Sequence, residues 1–266
     1  MVNSFGSKIA ILLMFVSFSS LVGEENFILI NGNTNEIICE QGPHINNQMT
    51  PCSTFKITLS LMGYDAGILK DEKTPAWDFQ EGYDSFIEDW KAPQTPQSWM
   101  TLSCVWYAKL LALQLGLEKV QAYLASFEYG NQDMSGGLAK PGPTKSAWIN
   151  SSLKISPKEQ VDFIQKMVMG KLSISSNATQ MTKRLLFKEE LSEGWELYGK
   201  TGLGSIVGED GGNLKVRWFV GWIEKEQIFF PFAYQLLEVE IDVGQTIPRV
   251  KQLLVESKLI NSMCTH

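Results

Sequence analysis

Ser53-Thr-Phe-Lys56 sets a hydroxyl and an amine three residues apart. On a helix that spacing puts both side chains on one face, so the amine can reach the hydroxyl. A serine is a poor nucleophile at its own pKa and needs an adjacent base. Lysine works as that base only where its charged form is disfavoured, and neighbours such as Phe55 and Ile57 would do so by burial. Alone the signal is weak, because S-x-x-K arises often on solvated helix faces. A second group, Lys200-Thr201-Gly202, combines a positive charge, a hydroxyl and a residue without a Cβ, ahead of Leu203-Gly-Ser205. That combination suits a ligand carboxylate approaching a strand edge, and an isolated match reads as well as an ordinary strand-to-turn exit. Ser103-Cys-Val105 and Tyr129-Gly-Asn131 say less when taken singly. A serine at a helix start usually caps it, and a Gly-Asn pair usually makes a turn.

The elements that must position these groups follow from patterning. Phe27–Asn31 and Glu36–Glu40 are apolar runs around Gly32-Asn-Thr-Asn35, a hairpin signal. Pro51–Lys56 opens a helix over 57–66, with Ser53 or Thr54 in its first turn. The spacing predicts helices over 101–115 and 117–127, then a loop rich in Gly, Asn and Pro over 130–143. Ser156-Pro-Lys-Glu159 is a helix start with cap, first-position proline and first-turn acid, and that helix should run to about Met169. A helix over 177–187 follows, then strands over 195–198, 215–224 and 227–237, and a closing helix over 247–257. Strands at both chain ends with helices between them imply an α+β fold. One antiparallel sheet is built from both termini and flanked by helices, with a helical region inserted.

Composition narrows the class. The 266 residues are 44% hydrophobic, 20% charged and 11% aromatic, which excludes disorder, collagen and coiled coil. Twenty-three Lys and Arg against 29 Asp and Glu give a net charge of −6, with no basic run to track phosphates, so nucleic acid is not an expected partner. Cys39, Cys52, Cys104 and Cys264 form neither a C-x-x-C pair nor metal-ligand spacing with His44 or His266, and no metal site is expected. Lys8 precedes the apolar run from Ile9 to Val16, small residues follow, and then come Glu24 and Glu25. The run is short of the roughly 20 apolar residues of a spanning helix and matches a signal peptide over residues 1–23, cleaved after Ser19 or Gly23. An uncleaved N-terminal anchor is the alternative. The expected mature domain is 24–266, exported to the periplasm and without a stable membrane anchor.

S-x-x-K, S-x-V, Y-G-N and K-T-G occur in that order, at Ser53, Ser103, Tyr129 and Lys200. The series resembles the penicillin-recognising serine enzymes. More narrowly, Ser53-Thr-Phe-Lys56, Tyr129-Gly-Asn131, Ser135-Gly-Gly137, Trp148 before Leu153-Lys-Ile-Ser156, and Trp218-Phe-Val-Gly-Trp222 resemble class D, oxacillinase-type β-lactamases. The resemblance covers essentially the whole mature chain. It implies hydrolysis of the β-lactam ring of penicillins, and hence antibiotic resistance. Ser53 would form the acyl-enzyme, and Lys56, as N6-carboxylysine, would be general base in acylation and deacylation. Trp148 would hold the carbamate through its indole N–H. The main-chain N–H groups of Ser53 and Leu203 would form an oxyanion hole, and Ser103 would relay a proton to the ring nitrogen. Lys200, Thr201 and Arg249 would grip the substrate carboxylate, Val105 would pack over the carbamate, and Tyr129 would lie near the site. Carbon dioxide or bicarbonate is the one small molecule the modification needs, with no other cofactor. The implied partners are β-lactam substrates, and a homodimer is admitted.

Two features depart from the usual class D pattern. The connection from Gly137 to Trp148 is longer than usual, which bears on the placement of Trp148. Cys52 and Cys104 flank two motif serines; they are either unrelated small core residues or neighbours close enough for a disulfide. A rival is a penicillin sensor or binding domain that is acylated without turnover, and another is a cell-wall carboxypeptidase or transpeptidase.

Overall fold

The computed structural model describes residues 23–207, 211–239 and 243–260. The expected signal peptide over 1–23, apart from Gly23, and Cys264 lie outside the described residues. No helix among the described residues is long and apolar enough to cross a membrane.

Among the described residues, six antiparallel strands form one sheet in the order β2-β1-β6-β5-β4-β3. They are β1 Glu24–Ile30, β2 Ile37–Gln41, β3 Phe187–Glu190, β4 Glu196–Val207, β5 Asn213–Lys225 and β6 Ile228–Glu238. The N-terminal hairpin thus docks along β6, and the sheet is built from both ends of the chain as expected. Both faces are covered, and the two-residue period of a strand sorts the side chains between them. Phe27 and Leu29 of β1 join Phe219, Phe232 and the closing helix α7 (Thr246–Glu256) in one cluster. Ile28 and Ile30, with Trp218, Val220 and Trp222 of β5, face the larger core beneath the inserted helices.

Those helices are α1 Phe55–Asp65, α2 Pro96–Leu102, α3 Val105–Leu115, α4 Leu117–Phe127, α5 Pro157–Val168 and α6 Ser176–Leu186. The capping box foreseen at Ser156 is present: its hydroxyl accepts from the Glu159 N–H while the Glu159 carboxylate accepts from the Ser156 N–H. Three boundaries differ from the sequence pattern, and each matters to the site. The helix expected over 101–115 is broken, because Ser103 closes α2 in a left-handed conformation (φ 58°) and α3 restarts at Val105. Apolar spacing runs on across the break, so the pattern hides it. The strand expected to stop near Tyr198 continues through Lys200-Thr201-Gly202 to Val207. Finally, α6 passes directly into the short strand β3.

The long connection after Gly137 is tied down by a buried ion pair. Lys109 of α3 donates to both oxygens of Asp84 at 3.0 Å and to the carbonyls of Gly142 and Thr144 at 2.6 and 2.9 Å. Asp84 also accepts from the Gly142 N–H at 3.0 Å. Removing one partner of such a pair strands a buried charge, which costs about 3–5 kcal/mol. Asp84→Ala is therefore expected to lower the unfolding free energy by about that amount, read from the urea midpoint at constant m-value.

Candidate active site

The nucleophile motif sits where a single helical turn meets a strand edge. Cys52–Thr54 form a 3-10 turn that leads into α1, so Ser53 precedes the helix by one turn and Lys56 lies in its first. Lys56 Nζ donates to Ser53 Oγ at 3.0 Å. Lys56 is 2% exposed. That burial pulls its pKa down to about 8, from an ordinary value near 10.5, against the opposing fields of Cys104, Cys52 and Asp84. The amine therefore releases its proton around pH 8, well below the range of an exposed lysine.

Strand β4 faces this turn because β3 is short. Pairing with β3 covers only Glu196 to Tyr198, so from Lys200 onward that edge has no strand neighbour. Close approach there demands residues without a Cβ. A Cβ on Gly202 would stand 3.1 Å from the Pro51 carbonyl, and one on Gly204 would stand 2.3 Å from Cys52 Sγ and 2.4 Å from Asn150 Oδ1. Gly204→Ala is expected to push β4 off the nucleophile turn, lowering kcat/KM by at least about tenfold, a 1.4 kcal/mol effect; steady-state kinetics checks it.

Trp148 is anchored from two sides. Its carbonyl accepts from the Cys52 N–H and from the Thr50 hydroxyl, both at 3.0 Å, and its ring lies 5.1 Å from that of Phe55. Two residues on, Asn150 in a left-handed conformation (φ 49°) accepts from the Ser205 N–H and donates to the Ser205 hydroxyl. The long connection therefore returns to the nucleophile turn and β4, which places Trp148 against Phe55 despite its length.

Between these elements opens a cleft of about 450 Å³. Ser53, Ser103, Val105, Thr201 and Leu203 line it, together with the apolar side chains of Phe86, Ile87, Trp90 and Ile149. A buried amine at hydrogen-bond distance from a cleft serine is the arrangement required for nucleophilic attack on an acyl group. The penicillin-binding protein transpeptidase domain matches residues 27–245. The chain is 36% identical over 220 residues to β-lactamase OXA-9 of Klebsiella pneumoniae, covering 81% of this chain and 77% of that one. It is 37% identical over 198 residues to β-lactamase OXA-1 of Escherichia coli, covering 74% and 70%. The solved structure of the class D β-lactamase OXA-427 superposes with a TM-score of 0.75 at 35% identity, over 88% of this chain and all of that one.

The chain belongs to the class D β-lactamases.

Within this class D fold, two residues expected at the cleft are elsewhere. Arg249 does not face it. The guanidinium donates from Nε and Nη2 to the two oxygens of Glu25, at 2.8 and 2.7 Å, and from Nη1 to Glu256 at 3.3 Å. The pair holds the Glu25 carboxyl below its usual range and lies against a different cavity. Tyr129 does not face the cleft either. It is 1% exposed and packs behind the nucleophile helix, 5.7 Å from Phe55 and 5.0 Å from Phe163. Its hydroxyl faces Thr58, Thr54 and Gln160, and burial pushes its pKa up.

Lys200 is 2% exposed and stands behind Thr201, donating to that residue's carbonyl at 3.1 Å. Burial, then the charges of Lys56 and Lys188, push its pKa well down. Cys52 and Cys104 are free, buried thiols, with pKa values pushed up to about 12 and about 11 by burial. Sequence reasoning missed the rim residues Phe86 and Ile87, and also Arg217 and Thr246, which line the same cleft. Arg217 carried one readable signal, as a charge within the apolar run Val216–Ile223 of a central strand.

Proposed function

We propose that this protein hydrolyses the β-lactam ring of penicillin-type antibiotics through an acyl-enzyme on Ser53, and so confers resistance to them. The observation that carries the reading is the 3.0 Å contact between Lys56 Nζ and Ser53 Oγ, made by an amine whose burial keeps its proton loosely held. Ser53 Oγ loses its proton toward residue 56 as it attacks the ring carbonyl, and the ring C–N bond breaks. The ring nitrogen takes up a proton through Ser103, which stands on the cleft wall in the break between α2 and α3. Main-chain N–H groups of Ser53 and Leu203 stabilise the oxyanion; a donor of this type is commonly worth about 10²–10³ in kcat. Thr201 lines the cleft where the ring carboxylate would lie.

Water must then attack the ester, and the same base has to activate it. A neutral Lys56 amine can take up carbon dioxide as N6-carboxylysine, which supplies an anionic base for both half-reactions. The surroundings of Lys56 fit that group: burial favours the neutral amine, and Trp148 next to Phe55 carries an indole N–H that donates and never accepts. Val105 lines the cleft, and packed over the carbamate it would limit water. We further propose an exported, periplasmic protein, on the strength of the short apolar segment Ile9–Val16 after Lys8.

Mixing the purified protein with a chromogenic cephalosporin and with a penicillin tests the reading. Sustained turnover is the expected result. A single stoichiometric burst would identify an acylated sensor or binding domain, and no reaction at all would refute the assignment.

A further inference from the structure

We propose that the buried Lys109–Asp84 pair is a positioning device for the general base: it fastens the connection from Gly137 to Trp148 so that the Trp148 indole is presented to residue 56. The proposal rests on the carboxylysine reading above. The connection closes on itself, because the Ala147 N–H donates to the Gly137 carbonyl at 3.0 Å. A loop held only at its base stays loose, since ordering each of its residues has an entropic cost. Lys109 fixes the middle of this one. Its amine donates to the Gly142 and Thr144 carbonyls at 2.6 and 2.9 Å and to both oxygens of Asp84 at 3.0 Å, and Asp84 accepts in turn from the Gly142 N–H. Gly142 has a positive φ of 122°, and a Cβ there would stand 3.0 Å from the Gly82 carbonyl, so the connection lies directly on the segment that carries Asp84. Four residues after Thr144 comes Trp148, whose own carbonyl is taken by Cys52 and Thr50.

The pair belongs to the wall of the site. Lys109 follows Val105 by one turn of α3, and residues at that spacing share a helix face. Val105 lines the cleft, and Lys109 is buried. Both charges of the pair reach Lys56: Asp84 favours its charged form and Lys109 its neutral form. Cys104 and Cys52 favour the charged form as well, and repulsion couples Lys56 to Lys200. Within the intact pair the two effects on Lys56 oppose one another. Stability alone does not account for the pair. Apolar residues of similar volume in place of a buried ion pair are often neutral or stabilising, because the desolvation of two charges offsets their attraction. What apolar residues lack is an ammonium that grips two carbonyls of the connection at once.

Carbon-13 NMR of the protein in labelled bicarbonate, read with the urea midpoint and penicillin turnover, tests the assignment. The test variant is Asp84→Leu/Lys109→Leu, which removes both charges and every tether. The carbonyls it frees adjoin the exposed residues 143–145, where water can replace the ammonium. It is expected to stay folded, with a urea midpoint above that of Asp84→Ala, because no charge is left buried alone. The bicarbonate concentration that half-saturates the carbamate signal should rise at least about threefold, short of the 10- to 100-fold expected for Trp148→Phe as the loss of a hydrogen bond to a charged group. Turnover should fall in step and recover with added bicarbonate, which a purely structural role would not produce. Should the double variant fail to fold, Gly142→Ala takes its place: its Cβ would press the connection away from Gly82 with both charges intact, and the same rise is expected. A folded variant of either kind with parental half-saturation overturns the proposal, and so does lost turnover with an unchanged carbamate signal. A signal weakened in Trp148→Phe but not in the folded double variant overturns this proposal alone. No carbamate signal in the parent at any bicarbonate concentration overturns the carboxylysine reading, and this proposal with it.

Discussion

Ser53→Ala is expected to lower kcat by about 10⁴-fold or more while the protein still folds. The magnitude follows from removing the one group that bonds covalently to substrate, since nucleophile deletions in serine hydrolases fall in that range. The intact fold follows from position. Ser53 sits in the 3-10 turn ahead of α1 and lines the cleft, so its hydroxyl fills no core space. Loss of that hydroxyl also removes the partner of Lys56 Nζ. Penicillin turnover and the urea midpoint, measured on the same preparation, check both halves. Near-parental turnover would discard Ser53 as nucleophile, and loss of the folded state would make the turn a structural element.

The second large effect concerns the base. A carbamate forms only from the neutral amine. The folded pKa of Lys56 is about 8, so the neutral fraction falls about tenfold for each pH unit below that value, to roughly 1% at pH 6. The sign follows directly: the base is present at and above pH 8 and is lost as pH falls through the folded pKa. Turnover should decline on the acid limb and recover when bicarbonate is added, because carbon dioxide draws the amine into the carbamate. Trp148→Ala should depend on bicarbonate more steeply than the parent and should accumulate acyl-enzyme, since deacylation needs the same base. Truncating a buried tryptophan also costs about 3–5 kcal/mol of stability. Trp148→Phe reduces the packing loss, because it keeps a smaller ring against Phe55 while removing the N–H. Turnover in degassed buffer with and without bicarbonate is the measurement. Identical curves would leave an acyl-enzyme served by an unmodified lysine.

Chemistry confined to one helical turn was legible in the residues. Ser53 and Lys56 are three positions apart, and α-helical geometry converts that spacing into proximity without reference to the rest of the chain. Ser156 and Glu159 were legible for the same reason, as a reciprocal cap. The α+β class followed from the order of strand and helix periods. By itself, then, the sequence determined the motifs, the class and the reactive pair.

Tertiary structure decided everything that depends on register, on faces and on competition for partners. The α2–α3 break puts Ser103 on the cleft wall, yet the flanking residues keep an unbroken apolar rhythm because both helices bury the same core. Tyr129 belongs to a motif and still lies behind Phe55, since a motif records residue types and not the side of a helix on which they land. The two arginines make the point most directly. Both are single cations in amphipathic surroundings, and local pattern does not say which cavity each will line. Arg249 is captured by Glu25, which β1 brings beside the closing helix from the far end of the chain. Arg217, paired opposite Leu203, lines both the cleft and the cavity beside Arg249. A charge goes where its nearest counter-charge and its strand register send it, and both are set by contacts between residues distant in sequence.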